Sequence, residues 1–162
     1  MRWLPAYVGL GSNLDDPQAR VRAALAALAE LPGTSVMLRS RLYVSAPLGR
    51  ADQPDYCNAV VALLTQLAPG ELLDQLRALE LRLGRTPSAE RWGPRVIDLD
   101  LLAMADLQVD SDSLQLPHPG IAQRAFVLFP WRELAPHYVV PGLGTVAALA
   151  ARLAPDAATV LA

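Results

Sequence analysis

Two aspartates separated by one residue are the most specific chemical signal in this chain. Asp98 and Asp100 lie in the apolar run VIDLDLL, residues 96–102. Side chains alternate along a strand, so a strand here would put both carboxylates on one face, roughly 6.5–7 Å apart. Such a pair suits Mg²⁺, which usually binds one or two carboxylates together with substrate phosphates. The alternative is a solvated polar face, although adjacent like charges cost energy unless a cation offsets them.

Arginines precede and follow this acidic pair in the sequence. Arginine binds phosphate oxygens through a planar fork, so an arginine cluster facing two metal-binding carboxylates suits a polyphosphate ligand. The residue types alone leave open a second interpretation, in which Arg91, Glu90 and Glu80 form salt bridges on a surface. The four arginines are Arg85, Arg91, Arg95 and Arg124.

Five further positions each admit a functional and a structural interpretation. Trp92, in a loop of glycine and charged residues, would contact a ligand or cover the sheet edge. Asn58, which begins an apolar stretch, would bind the edge of a heterocycle or a nearby backbone group. His118, between two prolines, would donate to a phosphate or a carbonyl oxygen, and Phe126 would stack on a ligand or join the core. Residues 11–13, Gly-Ser-Asn, would form a phosphate-approaching loop or a plain turn.

The elements that must position these residues alternate in a recognisable order. Apolar periodicity predicts strands at 6–10, 36–44, 56–67 and 95–103, and helices that begin at Pro17 and Pro69. The order strand, helix, strand, strand, helix, strand predicts an α+β fold, a ferredoxin-like antiparallel sheet with helices on one face. Short C-terminal strands are expected near 107–109 and 114–116, and short helices near 131–134 and 146–153. Neither a repeat nor a linker is evident, which predicts a single domain over 1–162.

Composition excludes several classes of protein. The chain has 162 residues, of which 52% are hydrophobic and 19% charged, a globular composition with a net charge of −2. That charge argues against a general binder of nucleic acid or of membrane surfaces. All 14 basic residues are arginine, which excludes a Walker-A or Schiff-base lysine. One cysteine, Cys57, and two histidines argue against a zinc site. Neither a signal peptide nor a spanning segment is evident, so we expect a cytoplasmic protein.

Five strings occur in a fixed order along the chain. They are GLGSNL at 9–14, PLG at 47–49 with DQPDYCNA at 52–59, ERWGPRVIDLD at 90–100, LPHP at 116–119 and RAFVL at 124–128. Together they resemble the 6-hydroxymethyl-7,8-dihydropterin pyrophosphokinase family of folate biosynthesis. The part RWGPRVIDLD at 91–100 is long and specific, and the resemblance covers about residues 6–140. The resemblance implies a ferredoxin-like fold and the transfer of pyrophosphate from ATP to the hydroxymethyl group of the dihydropterin, with release of AMP.

The resemblance also implies a role for each matching residue. Asp98 and Asp100 would hold two Mg²⁺ ions between the ATP phosphates and the attacking hydroxyl, and Trp92 would close over the site. Glu80 and Leu101 would lie near the nucleotide. The phosphate contacts would be Arg85, Arg95, His118 and Arg124. The pterin would be held by the aromatic rings of Tyr56 and Phe126, the amide of Asn58, and backbone groups of Ser45, Pro47 and Leu48.

Other functions remain open at the level of sequence. One alternative is a ferredoxin-like module that binds a small ligand without catalysis, and another is a kinase acting on a different heterocyclic alcohol. For the pyrophosphokinase we expect ATP and hydroxymethyldihydropterin as the partners, a monomer, and no nucleic-acid or membrane partner. Arg77 occupies a nucleotide-side position that is often Gln in the family that the chain resembles.

Overall fold

The structure, a computed structural model, describes residues 2–47, 52–85 and 96–161. The sequence predictions for Leu48, Trp92 and Arg95 lie outside these residues, as do Glu90 and Arg91. Within the described residues no helix has the length and apolar character needed to cross a membrane.

An antiparallel sheet forms the centre of the fold, and the predicted α+β class is confirmed. Its strand order is β10-β3-β4-β1-β5. The strands β2 and β3 pair with successive parts of the same edge of β4. The strands β6 and β7 form one separate hairpin, and β8 and β9 form another. The strands are β1 Leu4–Ser12, β2 Thr34–Arg39, β3 Tyr43–Ser45, β4 Tyr56–Thr65, β5 Asp98–Met104, β6 Val109–Asp110, β7 Gln115–Leu116, β8 Val139–Val140, β9 Gly144–Thr145 and β10 Thr159–Val160. The α-helices are α1 Pro17–Leu28, α2 Pro69–Arg82, α3 Ala125–Leu134 and α4 Val146–Ala150, with a 3₁₀ turn at Ile121–Gln123.

The helices α1 and α2 begin where the sequence predicts, and α2 also ends there, whereas α1 ends at Leu28 although the apolar helical spacing continues to Leu31. The Asp16 carboxylate accepts from the backbone N of Ala19 at the start of α1. At α2 the Glu71 side chain accepts from the backbone N of Ala68. Gly84, just beyond α2, has φ +104°, a left-handed conformation that suits glycine. These local signals fix where α2 ends, and therefore where Arg85 lies.

The single strand predicted at 36–44 was wrong, because two strands occupy that stretch. Ser40 interrupts them: its backbone N donates to Val60 O (2.9 Å), and its hydroxyl accepts from Val60 N (2.9 Å). A side-chain oxygen thus takes the place of a backbone acceptor in the ladder. Both β2 and β3 therefore pair with β4 although the strand is broken between them.

Two hydrophobic clusters cover the two faces of the sheet. The helices α1 and α2 pack on one face around residues such as Val8, Val61 and Leu99. The helices α3 and α4, which follow the ferredoxin-like part, pack on the other face around residues such as Val60 and Trp131. Burial of each large apolar side chain contributes about 1.5–3 kcal/mol. The polar residues described below lie on this second face of the sheet.

The thiol of Cys57 is expected to react slowly in the native protein. Cys57 is buried in the α1–α2 cluster, and burial raises the pKa of its thiol, an effect partly offset by Arg22. Since the thiolate is the reactive form, a disulfide reagent such as Ellman's reagent should modify Cys57 only slowly until urea unfolds the chain. Rapid, complete modification of folded protein would contradict this placement.

Candidate active site

Two glycines of the central strand β1 form the floor of the site. Gly11 pairs with Asp98 of β5 on one side and with Asn58 of β4 on the other, and Gly9 pairs with Asp100. Directly paired residues of antiparallel strands present their side chains on the same face. Glycine has no side chain, so this face is bare between the two carboxylates and the amide. The predicted placement of Asp98 and Asp100 on one face of one strand agrees with the structure.

Residues 11–13 are not the loop or turn that the sequence suggested. Gly11 and Ser12 are the last two residues of β1, and Ser12 is fully buried. Asn13 follows, and its Nδ2 donates to Gln53 Oε1 and to Pro54 O, each at 2.9 Å. The Asn13 amide therefore holds the segment before β4 against the end of β1, beside the site.

The amide of Asn58 is held in place by a hydroxyl. Asn58 is buried, and its Nδ2 donates to Ser45 Oγ of β3 at 2.8 Å. A Cβ built on Gly11 would lie 3.2 Å from Asn58 Oδ1 and 3.5 Å from Tyr56 Cδ1. The Tyr56 ring and the Asn58 amide thus flank the bare position of Gly11. The structure brings together these three predicted pterin contacts, Ser45, Tyr56 and Asn58, with the half-buried Pro47 two residues beyond Ser45.

Helix α3 supplies an aromatic ring and a cation to the same face of the sheet. Phe126 lies in the first turn of α3 and is only partly buried, packed at the margin of the second cluster. The guanidinium carbon of Arg124 lies 5.9 Å from the centroid of the Phe126 ring, within the range of a cation–π contact. Gly120, with φ +84°, leaves room for Arg124, because a Cβ there would lie 3.2 Å from Arg124 Nε.

A buried carboxylate on α2 supports the edge strand β5. Glu80 is 2% exposed, and its Oε1 accepts from Arg77 Nη1 at 2.8 Å. Its Oε2 accepts from Arg85 Nη1 at 2.7 Å and from the backbone N of Leu99 at 2.8 Å. Arg77 Nη1 also donates to Leu99 O at 2.9 Å. In the described sheet β5 pairs only with β1, so this ion pair satisfies both outward-facing backbone groups of Leu99.

The same network extends to the acidic pair. Arg85 Nη1, which contacts Glu80, also lies 2.8 Å from Asp98 Oδ1. One alternative from the sequence was that Glu80 takes part in salt bridges. Glu80 does form ion pairs, and its partners are Arg77 and Arg85. Glu80 was expected near the nucleotide, and its contacts here hold Arg85 and Leu99.

His118 lies beside β5, and Leu101 is part of that strand. The backbone N of His118 donates to Leu102 O at 2.8 Å, and its Nδ1 lies 2.6 Å from Pro119 O. A carbonyl oxygen can only accept, so Nδ1 carries a proton and Nε2 remains for another partner. The Leu101 side chain is buried in the α1–α2 cluster, on the face opposite the carboxylates. Leu101 can therefore meet a ligand only through its backbone.

The sequence did not indicate that Gly9 forms part of the floor of the site, or that Arg77 supports β5 through Glu80 and Leu99. A signal for the first was available: two glycines at strand spacing mark a close approach to the backbone. Arg77 had no such signal, since an exposed helical arginine is common.

Among the described residues no group of three or more His, Cys, Asp or Glu side chains could hold a metal. A cation bound at Asp98 and Asp100 would take its other ligands from substrate and water, as Mg²⁺ usually does.

Comparison with known proteins gives one consistent result. A family model described as 7,8-dihydro-6-hydroxymethylpterin-pyrophosphokinase matches residues 7–136. Two similar proteins are named 2-amino-4-hydroxy-6-hydroxymethyldihydropteridine pyrophosphokinase. The one from Pseudomonas aeruginosa is 49% identical over 135 residues and 83% of each chain. The one from Methylorubrum extorquens is 45% identical over 151 residues, which cover 93% of this chain and 94% of that one.

A solved structure supports the same fold. Wild-type Plasmodium falciparum HPPK-DHPS with pteroate aligns with a TM-score of 0.75 at 12% sequence identity. The alignment covers 93% of this chain and 44% of that one, so this chain spans less than half of the Plasmodium chain. At such low identity the likeness concerns the fold alone.

Proposed function

The chain belongs to the 7,8-dihydro-6-hydroxymethylpterin-pyrophosphokinase family, and on that basis we propose how its residues carry out the reaction. The enzyme transfers pyrophosphate to the hydroxymethyl group of 6-hydroxymethyl-7,8-dihydropterin in folate biosynthesis. ATP donates the pyrophosphate. The hydroxyl oxygen attacks the β-phosphorus and its proton passes to solvent, the bond from that phosphorus to the α–β bridging oxygen breaks, and AMP leaves. Phosphoryl-type transfer depends mainly on positioning and on stabilisation of charge.

Asp98 and Asp100 would hold Mg²⁺, with two ions as the family resemblance implies. Their two carboxylates lie on one face beside the bare floor of β1, and the guanidinium of Arg85 already places a cation against Asp98. Oxygen ligands of this kind suit a hard cation. Bound magnesium would neutralise triphosphate charge and lower the cost of bringing a hydroxyl oxygen onto it.

The other side chains divide into a pterin side and a phosphate side. On the pterin side, Asn58 would hydrogen-bond the ring edge, with Tyr56 and Phe126 on its faces and backbone near Pro47 completing the pocket. On the phosphate side, the contacts would be Arg85, Arg124, His118 Nε2 and, outside the described residues, Arg95. Trp92, also outside them, would close over the ligands.

The nucleotide base would lie along the outer edge of β5, where the described residues add no further strand. Leu99 directs its N–H and C=O to that edge, towards Glu80 and Arg77. Backbone groups alternate in direction along a strand, so Leu101 directs its own pair to the same edge. A backbone donor and acceptor side by side suit the edge of adenine.

One observation carries this proposal: Gly11 lies directly between Asp98 and Asn58. Adjacent strands are about 4.8 Å apart, so the backbones of β4 and β5 lie about 10 Å apart, and no side chain of β1 fills the gap between the carboxylate and the amide. A flat bicyclic ring fits such a gap, with its edge on the amide and its hydroxymethyl group towards the acidic pair. The arrangement therefore aligns the attacking hydroxyl with the position of the triphosphate.

The nucleotide product tests the reaction. With ATP, Mg²⁺ and hydroxymethyldihydropterin, we expect equal amounts of AMP and the pterin diphosphate. Formation of ADP, or no turnover, would reject pyrophosphoryl transfer. A panel of other heterocyclic alcohols should give little product, and an equally good alternative substrate would favour a different kinase.

Gly11→Ala is expected to weaken pterin binding about tenfold with little loss of stability. The new methyl would lie 3.2 Å from Asn58 Oδ1, and the Ser45 hydroxyl restrains the amide from moving aside. A tenfold loss corresponds to about 1.4 kcal/mol, the cost of a misplaced hydrogen bond. Fluorescence titration with the pterin measures it. Gly70→Ala is the matched control, since nothing lies within 4 Å of a Cβ there. Unchanged affinity in Gly11→Ala would place the pterin elsewhere.

The proposal extends to the domain organisation, oligomeric state, location and partners of the protein. We propose that residues 1–162 act as a single pyrophosphokinase domain, as a monomer in the cytoplasm. Small molecules would be its only ligands, without a nucleic-acid or membrane partner. The net charge of −2 supports the last point, because polyanion binders carry an excess of basic residues.

A further inference from the structure

One carboxylate of helix α3 joins that helix to strand β3, beside the proposed pterin pocket. Glu133, in the last turn of α3, accepts through Oε1 from the backbone N of Arg41 and through Oε2 from Arg41 Nε, each at 3.1 Å. Its Oε2 also accepts from the hydroxyl of Tyr43 in β3. Tyr43 is 5% exposed, so little water screens this charge-assisted hydrogen bond.

Tyr43 begins a row of four neighbours that crosses the sheet through the proposed site. It pairs with Asn58 of β4. Asn58 in turn pairs with Gly11 of β1, and Gly11 pairs with Asp98 of β5. Directly paired residues present their side chains on the same face, with Cβ atoms about 4.5–5.5 Å apart. The Tyr43 side chain is therefore the direct neighbour of the Asn58 amide, on the side away from Gly11.

The other end of this contact leads to the aromatic ring of the site. Phe126 and Glu133 are seven residues apart in the continuous helix α3. Two turns of an α-helix take 7.2 residues, so both side chains leave the same side of the helix, about 10 Å apart along its axis. A change at the point where Glu133 meets β3 would therefore alter the position of Phe126 relative to the sheet.

We propose that Tyr43 and Glu133 are positioning residues for the pterin, because their contact sets the separation between the Asn58 amide and the Phe126 ring. This inference rests on the proposed function for the identity of the ligand. A flat ring that meets an amide at its edge and an aromatic ring on its face needs both groups in place at once, and small displacements are costly. The nucleotide would lie along β5, on the far side of β1, so its binding should not depend on this contact.

Two tyrosine variants separate positioning from stability. Tyr43→Phe removes only the hydroxyl that reaches Glu133. Tyr138→Phe is the matched control, because it removes a hydroxyl that donates to Ala105 O, just beyond the end of β5. Each change removes one hydrogen bond and should lower the Tm by about 2–6 °C.

Only the first variant should affect the pterin. Steady-state kinetics of Tyr43→Phe should show a rise of about tenfold in KM for the pterin, with kcat and KM for ATP within about twofold of the parent. Tyr138→Phe should keep all three values within about twofold. A role in stability alone predicts no selective change in KM for the pterin, and equal pterin KM values for the two variants would overturn the proposal.

Glu133→Gln tests the contact from the helix side, and it also serves if Tyr43→Phe does not fold. Glutamine offers one oxygen in place of two, so the donors from β3 and from residue 41 lose part of their partner. The pterin KM should again rise about tenfold. In the double variant it should rise no more than about twofold further, because both residues act through one contact. Multiplication of the two effects would contradict a shared role.

Nuclear magnetic resonance of the ligand-free protein reads the two walls of the pocket without turnover. Tyr43→Phe should shift the ring resonances of Phe126, and Glu133→Gln should shift the side-chain amide resonances of Asn58, whereas Tyr138→Phe should move neither. If the parent forms AMP but Tyr43→Phe and Glu133→Gln leave the pterin KM and these resonances unchanged, only this inference fails. If no AMP forms and the resonances still move, the proposed reaction fails, while the contact still positions the Asn58 amide and the Phe126 ring.

Discussion

Asp98→Asn should lower kcat/KM by about 1,000-fold while the protein remains folded. Asparagine keeps the size of the side chain but removes the charge that would hold the metal against the triphosphate. Loss of one well-placed electrostatic contact to a developing charge typically costs about 10²–10³-fold in rate. Asp100→Asn should have a similar effect, because its carboxylate lies on the same face of β5. The fold should tolerate both changes, since each of these side chains is only half-buried.

Steady-state formation of AMP measures this effect, and circular dichroism checks the fold. Asp112→Asn is the control: it makes the same chemical change at an exposed residue of the β6–β7 hairpin loop. The control should retain full activity. If Asp98→Asn and Asp100→Asn also retained it, the acidic pair would not be the metal site, and the reaction would have to depend on other residues.

Glu80→Gln should lower the free energy of unfolding by about 2–3 kcal/mol. Loss of one partner from a buried ion pair costs about 3–5 kcal/mol. The value here is smaller because the Arg77 and Arg85 side chains are 46% and 27% exposed and can regain water. Glutamine offers one oxygen to the donors that now share two, so either Arg77 or the pair of Arg85 and Leu99 loses its acceptor. For a domain of this size the change corresponds to a fall in Tm of about 5–10 °C.

Thermal and urea denaturation measure this loss, with Asp74→Asn as the control. Asp74 is an exposed residue of the same helix, and its substitution should change the unfolding free energy by less than about 0.5 kcal/mol. Activity of Glu80→Gln should fall as well, because Arg85 and β5 lose their support. A Tm equal to that of the parent would show that the carboxylate contributes nothing to holding β5.

The acidic pair was predictable because it depends on one strand alone. Alternation along β5 is enough to place Asp98 and Asp100 together and to bury Leu99 opposite them. The same alternation places the side chain of Leu101 on the far face, which leaves only its backbone for the nucleotide. The start of α1 and the end of α2 were predictable for a similar reason, since Asp16 and Gly84 act within a few residues of their own position.

Features that depend on pairing between distant strands were not predictable. The floor at Gly11 exists because β1 pairs with both β4 and β5, and the sequence does not give that register. The break at Ser40 depends on a hydroxyl that bonds to Val60, which is 20 residues away. The support from Arg77 likewise arises only when α2 packs beside the outer edge of β5.

The position of the metal in a ternary complex tests the central claim most directly. Crystals grown with Mn²⁺, a non-hydrolysable ATP analogue and hydroxymethyldihydropterin would locate the ions by their anomalous diffraction. The account predicts manganese bonded to carboxylate oxygens of Asp98 and Asp100 and to the triphosphate, with the pterin edge on Asn58. Manganese and triphosphate bound away from this face, with both aspartates free of metal, would contradict it.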